Sequence, residues 1–391
     1  MTETADVVVV GAGVQGAALA FHLAKRGVRV VVLERSAVGA GATGRSSGFV
    51  RMHYDLESDA RLAWHSFPYF EHWDEMVGAG DCGFVRTGFL HAMPPEMEDA
   101  LRANVAMLQA IGVDTRVAGP DEIARLIPGA VIDGIGAAAW EPRSGYADPS
   151  GTAAGLLEAA RRLGARYVQG CRVDTVTVHG DRVVGVETDR GRFDAPVVVD
   201  VAGAWAPNLA ATVGVEVPVR TWRHDTAFFG LPDGRSNDLP ILIDEPNGVY
   251  FRPEGRELLL VGLEAANEVG GSPDRPHRTT PPEILENMIE RLCRRVPWMR
   301  DGTFRVAHGG QDGITPDQRP ILGRAGPDGF ILACGFSGTG FKTAPAIAGS
   351  SGRGSSTRCH ASWSRPFAPT WRCSRRSAWT RGSPSPTRSP G

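Results

Sequence analysis

The sequence is poor in cysteine. Its six, Cys82, Cys171, Cys293, Cys334, Cys359 and Cys373, are scattered and form no CxxC pair. This argues against a disulfide framework and a zinc site, and makes a reducing cytoplasm the expected setting. No uninterrupted apolar run approaches the ~20 residues that a membrane-spanning helix needs. No secretory leader is expected either, because Met1 to Asp6 lead straight into Val7-Val8-Val9-Val10 with no basic region. No internal repeat is visible.

Net charge is nearly absent too, with 42 Lys and Arg against 44 Asp and Glu in 391 residues. The balance of −2 conceals a split. Positions 350–391 hold eight Arg and no acid, so the rest of the chain carries 34 basic and 44 acidic side chains, a net of −10. An acidic body speaks against an enzyme of nucleic acids, whose affinity for phosphate backbones rests on clustered positive charge. The segment 350–391 has eleven Ser and three Trp but no Leu, Ile, Val or Lys, so it cannot form an apolar face. It reads as disordered or frame-shifted, since this composition is what a shifted frame of a GC-rich gene produces. Reading the gene in another frame from about codon 349 is then expected to restore an Ala/Leu/Glu-rich helix.

What is present begins with a βαβ unit. Val7–Val10 is a β-branched run of the kind that buried parallel strands use. Gly11-Ala12-Gly13-Val14-Gln15-Gly16 follows, then a helix to about Gly27 and a second strand over 28–33, closed by Glu34. GxGxxG between strand and helix permits a tight turn, close approach of a pyrophosphate and close helix packing. The helix start faces the phosphates with its partial positive charge, and the terminal acid suits a ribose hydroxyl rather than a 2′-phosphate. NAD or FAD stays open on that motif. A second glycine- and hydroxyl-rich loop, Gly39 to Gly48, leans to the longer FAD, whose pyrophosphate and ribityl chain its N–H and hydroxyl groups suit. Further helices are predicted over 57–77, 97–111, 151–163 and 281–296. In the last, Ile284, Leu285, Met288, Ile289, Leu292 and Cys293 are expected to face inward. Strands are predicted over 172–178, 182–188, 197–202, 226–229, 241–243, 249–252, 258–261, 305–308 and 329–333.

Several separated motifs together resemble the flavin amine-oxidase family that holds D-amino-acid oxidase, glycine oxidase and sarcosine oxidase. They are the two loops above, Gly145-Tyr146-Ala147-Asp148-Pro149, Val199 to Trp205, and Thr315-Pro316-Asp317 through Gly323 to Gly335-Phe336-Ser337-Gly338-Thr339-Gly340-Phe341-Lys342. The last stretch resembles the flavin-contacting loop of the sarcosine oxidase branch. The likeness runs from about Asp6 to Gly349. It implies an α/β chain with a Rossmann-like FAD-binding domain (about 1–80, 145–215 and 310–349). A substrate domain with a mainly antiparallel sheet would come from 81–144 and 216–309.

The expected cofactor residues are Gly11, Gly13, Val14, Gln15, Gly16, Glu34 and Arg35, with Thr43, Arg45, Ser46 and Ser47 from the second loop. Val173, Ala202, Gly203 and Trp205 join them, as do Gly335, Gly338, Thr339, Gly340, Phe341 and Lys342. The positions matching Arg51 and Lys342 bind the substrate carboxylate in sarcosine oxidases, and an Arg fork suits a carboxylate. His53 and Tyr54 are further catalytic candidates; His224, Tyr250, Arg252 and Asp312 are weaker ones.

Departures carry information. Glycine oxidases and D-amino-acid dehydrogenases place an Arg where this chain has Asp312, so the carboxylate clamp should be of the sarcosine oxidase kind. Monomeric sarcosine oxidases attach FAD through a Cys where this chain has Gly310, so FAD should be non-covalent. Their oxygen-activating Lys aligns with Leu260, which keeps a dehydrogenase open. The implied reaction is hydride transfer from the carbon beside a small amine's nitrogen to flavin, giving an imine that hydrolyses, with O2 or another acceptor. A flavin 2-hydroxyacid oxidase or dehydrogenase, an NAD-dependent dehydrogenase and an idle flavin-binding protein are the alternatives.

Overall fold

The computed structural model describes residues 3–264, 268–275 and 279–350, so the 351–391 part of the unusual tail lies outside the described residues. Two large sheets organise the chain. The first has the spatial order Arg166–Gln169, Val30–Glu34, Val7–Val10, Val198–Asp200, Phe330–Cys334 and Ile321–Arg324, parallel except for the last strand. Its central strands are continuous apolar runs because both faces are covered. Val7, Val9, Val30, Val32, Val199 and Ile331 pack with the helices Val14–Ala24, Pro149–Arg162 and Gly340–Ser350. Val8, Val10, Val31, Leu33 and Phe330 face the other way, under the antiparallel ladder of Val173–His179, Arg182–Thr188 and Gly191–Asp194.

The second sheet has eight strands. Their order is Thr303–Ile314, Arg220–Gly230, Leu258–Leu263, Val249–Glu254, Ile241–Asp244, Phe89–Met93, Ala137–Glu141 and Arg116–Ala118. All pairs are antiparallel except that of Ile241–Asp244 with Phe89–Met93. Side chains alternate across a strand. Ala227, Phe229, Leu242, Val249, Phe251 and Leu259 enter a core shared with the helix Pro282–Arg295, and their neighbours point to the opposite face. The chain thus has the expected α/β architecture, a Rossmann-like parallel sheet beside a mainly antiparallel one.

Two local expectations need correction. The helix predicted over 57–77 is broken into Glu57–Glu71 and Trp73–Met76, because His72 leaves helical geometry at φ −127°, ψ 48°. Ile289 does not face inward. The buried stripe of its helix is Met288, Leu292 and Arg295, and Ile289, about 100° further round, is 41% exposed.

That stripe ends in an ion pair that fixes one end of the second sheet. Arg295 Nε and Nη2 donate to Asp244 Oδ2 and Oδ1 at 2.6 and 2.9 Å, with both side chains buried. Losing one member leaves an uncompensated buried charge. Arg295→Met is therefore expected to destabilise the protein by about 3–5 kcal/mol, measured as a lower urea midpoint with an unchanged slope.

Candidate active site

The strand ends of the parallel sheet and the open face of the second sheet enclose a cavity of about 1250 Å³. Its first part is a cradle for phosphate. Gly11 has φ +111°, and a Cβ there would lie 2.8 Å from the Val201 carbonyl oxygen. The helix Val14–Ala24 starts at Gly13 with no capping side chain and no acid in its first turn. Its first N–H, that of Val14, donates to Thr43 Oγ1 at 3.1 Å. The other early N–H groups have no intrahelical partner, which suits an anion. Glu34 spans the turn, accepting from Ala12 N at 2.9 Å and from Ser36 N at 2.8 Å. Its carboxylate therefore shapes the loop, besides offering lone pairs to a ribose. At the far end the Arg35 guanidinium lies 4.2 Å from the Trp205 ring, and Asp274 accepts from both at 2.8 Å.

Most of the expected cofactor residues line this cavity. Gly11, Gly13, Val14, Gln15, Glu34 and Arg35 do so from the first βαβ unit, and Thr43, Arg45, Ser46 and Ser47 from the second loop. Val173, Ala202, Gly203 and Trp205 flank it, and Gly338, Thr339, Gly340, Phe341 and Lys342 bring the start of the last helix to it. Gly16 and Gly335 do not line it. Gly16 serves packing, since a Cβ there would lie 2.0 Å from the Gly11 carbonyl oxygen. Gly335 (φ +67°) lets the chain turn closely over Thr315. Asp312 Oδ1 accepts from Gly313 N and Oδ2 from Gly338 N, at 2.7 and 2.9 Å, so it fastens the glycine loop to its strand.

Arg51, Tyr54 and Lys342 meet at the other part of the cavity. The buried Lys342 Nζ donates to Tyr54 Oη at 2.7 Å. Burial pulls its pKa below the ordinary lysine value, helped by the charge of Arg51 and opposed by Tyr54 and Glu264. The Arg51 guanidinium sits 4.5 Å from the Tyr54 ring and 5.3 Å from Phe89, with Nη1 donating to the His53 carbonyl. Its Nε is buried and has no partner among the described residues. Glu141 holds the adjoining backbone by accepting from Met52 N at 3.0 Å.

His53 is placed elsewhere. It is 3% exposed and outside the cavity, with Nε2 3.0 Å from Asn104 Nδ2 and its ring 5.0 Å from that of His91. Desolvation pushes its pKa well below the ordinary range, so it is a neutral packing residue rather than one that reaches a ligand. Of the weaker candidates, His224, Tyr250 and Asp312 line the cavity. Burial lowers the His224 pKa to about 4, and its Nε2 has no partner among the described residues. Arg252 lies behind, donating to the Ser47 carbonyl at 2.6 Å. Glu245, Glu264, Trp222 and Asp274 also line the cavity and were not among the sequence candidates.

A cradle that excludes a Cβ, an uncapped helix start and a long cavity edged by glycine and hydroxyl groups together fit FAD. The chain belongs to the FAD dependent oxidoreductase family, whose pattern matches residues 6–349. It is thus an FAD-dependent oxidoreductase of the group that holds amine and amino-acid oxidases. Human mitochondrial sarcosine dehydrogenase is 30% identical over 353 residues, covering 87% of this chain and 38% of that protein. The sarcosine oxidase β subunit of Rhodobacter capsulatus is 27% identical over 352 residues, covering 87% and 82%. The crystal structure of L-proline dehydrogenase from P. horikoshii superposes with a TM-score of 0.82 at 26% identity, covering 89% and 92%. The chain spans about two fifths of the length of the first of these relatives. Among the described residues no helix is long and apolar enough to cross a membrane.

Proposed function

We propose that the chain oxidises the C–N bond of a small secondary amine or amino acid, sarcosine-like in its carboxylate. The observation that carries this is the pair Arg51 and Lys342, two cations at one cavity wall beside the glycine loop that opens the last helix. FAD, when bound, supplies the two-electron acceptor for the C–H bond next to nitrogen. The protein's part is to hold the substrate still. Arg51 offers its guanidinium to the carboxylate, and Lys342, steered by Tyr54, adds a second cation. Ile243 and Leu263 add apolar wall to the same cavity. The imine then released to water hydrolyses. In this reading the segments 1–80, 145–215 and 310–349 hold the cofactor and 81–144 with 216–309 shape the substrate side. Mixing the holoprotein anaerobically with N-methyl amino acids should bleach the flavin band near ~450 nm. Bleaching by 2-hydroxy acids alone would overturn the reading.

FAD is proposed to be held non-covalently. Gly310 offers no nucleophile, and a Cβ there would lie 2.8 Å from Arg45 Cβ. Acid precipitation is expected to leave all the flavin in the supernatant. Leu260 is buried at 2% exposure and does not line the cavity, so it does not argue against O2, which is the proposed acceptor. Comparing reoxidation by air with reoxidation by a dye tests this.

The depressed pKa of Lys342 gives the site a pH dependence. Only the ammonium attracts a carboxylate, so affinity is present at low pH and falls as pH rises through the depressed value. The Kd of a carboxylate ligand lacking an amine is expected to rise at a pH below the ordinary lysine range. Lys342→Arg should remove that alkaline limb, because a guanidinium stays charged. Spectral titration of the holoprotein across pH measures both.

A further inference from the structure

Resting on the reading above, we propose that Glu245 and Glu264 form a second, acidic subsite in the same cavity. The substrate would then carry a side-chain cation besides its carboxylate and its reacting amine.

Topology brings the two acids together. Glu245 directly follows the strand Ile241–Asp244, and Glu264 directly follows Leu258–Leu263. Both strands pair with Val249–Glu254, and the register sets Asp244 and Leu263 opposite the same residue, Val249. Both carboxylates therefore leave the sheet at one end, and both line the cavity that holds Arg51 and Lys342. Glu245 is fixed from behind. His91 Nε2 lies 3.0 Å from its Oε1, and this hydrogen bond holds its carboxyl below the usual range and ionised. The Asp244–Arg295 pair anchors the residue before it. The carboxyl of Glu264, an exposed residue on the cavity wall, makes no hydrogen bond or ion pair among the described residues; desolvation and the Glu245 charge push its pKa up, opposed by Arg51 and Lys342.

The cavity thus carries charges of both signs, near enough for Arg51 and Lys342 to act on Glu264. Lys342 is engaged with Tyr54, and Arg51 with the His53 carbonyl and two rings, so neither closes on the acids. A substrate with one carboxylate and one amine satisfies the cations and leaves the two acids without a partner. An amino acid ending in an ammonium satisfies both signs, with its methylenes along Ile243, Leu263 and Tyr250. A dicarboxylate would meet like charge and be rejected.

The test uses two ligands of one shape, Nα-methylornithine and Nα-methylnorleucine, which differ in a terminal ammonium against a methyl. Each is titrated anaerobically into the holoprotein. Kd is read from perturbation of the flavin spectrum, and bleaching is read separately. The ornithine derivative should bind at least about tenfold more tightly, and Glu264→Gln and Glu245→Gln should each bring the ratio toward one. Equal Kd values in the unaltered protein overturn the proposal. So does a ratio that persists in both variants, or an equal weakening of both ligands, which would mean that the acids touch only the reacting amine. A preference for the ornithine derivative without bleaching by either ligand would leave the subsite standing and remove the amine-oxidising reading. Bleaching by both with equal Kd would do the reverse.

Discussion

Arg51→Ala is expected to raise the Kd of an amino-acid substrate by about two to four orders of magnitude, the largest functional effect at this site. Hydrogen bonds to a charged group contribute about 1.5–3 kcal/mol each, and a guanidinium can give a carboxylate two of them. The structure gives a reason to expect the full effect here. Arg51 lines the cavity beside Tyr54 and Lys342, where its guanidinium can meet a carboxylate. The change also removes packing over Tyr54 and Phe89. The melting temperature and the FAD Kd must therefore be measured alongside the anaerobic substrate titration. A drop in substrate affinity with both of those held marks a carboxylate clamp; unchanged affinity rules it out. Arg51→Lys should recover only part of the loss, since an ammonium is a point charge without the planar fork.

The first βαβ unit of the parallel sheet was legible because its determinants are local, whereas that sheet's strands Arg166–Gln169 and Ile321–Arg324 were missed. Val7–Val10, the glycines after it and Glu34 occupy adjacent stretches of chain, and their strand and helix are found where the pattern put them. The strands Phe89–Met93, Ala137–Glu141 and Arg116–Ala118 were missed. Phe89–Met93 and Ala137–Glu141 are buried largely on both faces, so they lack alternation, and Ala-Ala-Ala-Trp-Glu has a weak intrinsic preference for strand. At the site, Arg51 and Lys342 were picked by resemblance, yet composition marks the second. The chain has only two lysines among its 42 basic residues, and one of them is this buried ammonium. His53 misled because it adjoins Arg51 in sequence. Past the short strand Phe49–Val50, Arg51 and Tyr54 face the cavity while Met52 and His53 turn inward. Glu245 and Glu264 could not be read from spacing, since only the register of three strands brings them together.

Two glycines of the same motif should separate packing from cofactor contact, and one of them carries a large expected effect on folding and on FAD together. Gly16→Ala places a Cβ 2.0 Å from the Gly11 carbonyl oxygen and 3.1 Å from Val201 Cγ2. The first is backbone, so no rotamer relieves it, and the helix Val14–Ala24 must move away from the sheet. Overpacking of this kind destabilises by about 3 kcal/mol or more where the neighbour cannot give. The moved helix would also carry its N-terminal N–H groups away from the phosphates. The variant is therefore expected to lose both stability and FAD, seen as a lower melting temperature of the apoprotein and an unmeasurable flavin Kd. Gly13→Ala differs. Its Cβ would meet only Thr43 Oγ1, at 3.2 Å, a side-chain atom, and the rest of its surroundings is the cavity. The apoprotein should melt near the unaltered value while FAD binds at least about tenfold more weakly, a loss of about 1.4 kcal/mol. If Gly13→Ala instead destabilised the apoprotein as much as Gly16→Ala, or bound FAD normally, Gly13 would not be the point where the pyrophosphate approaches the backbone.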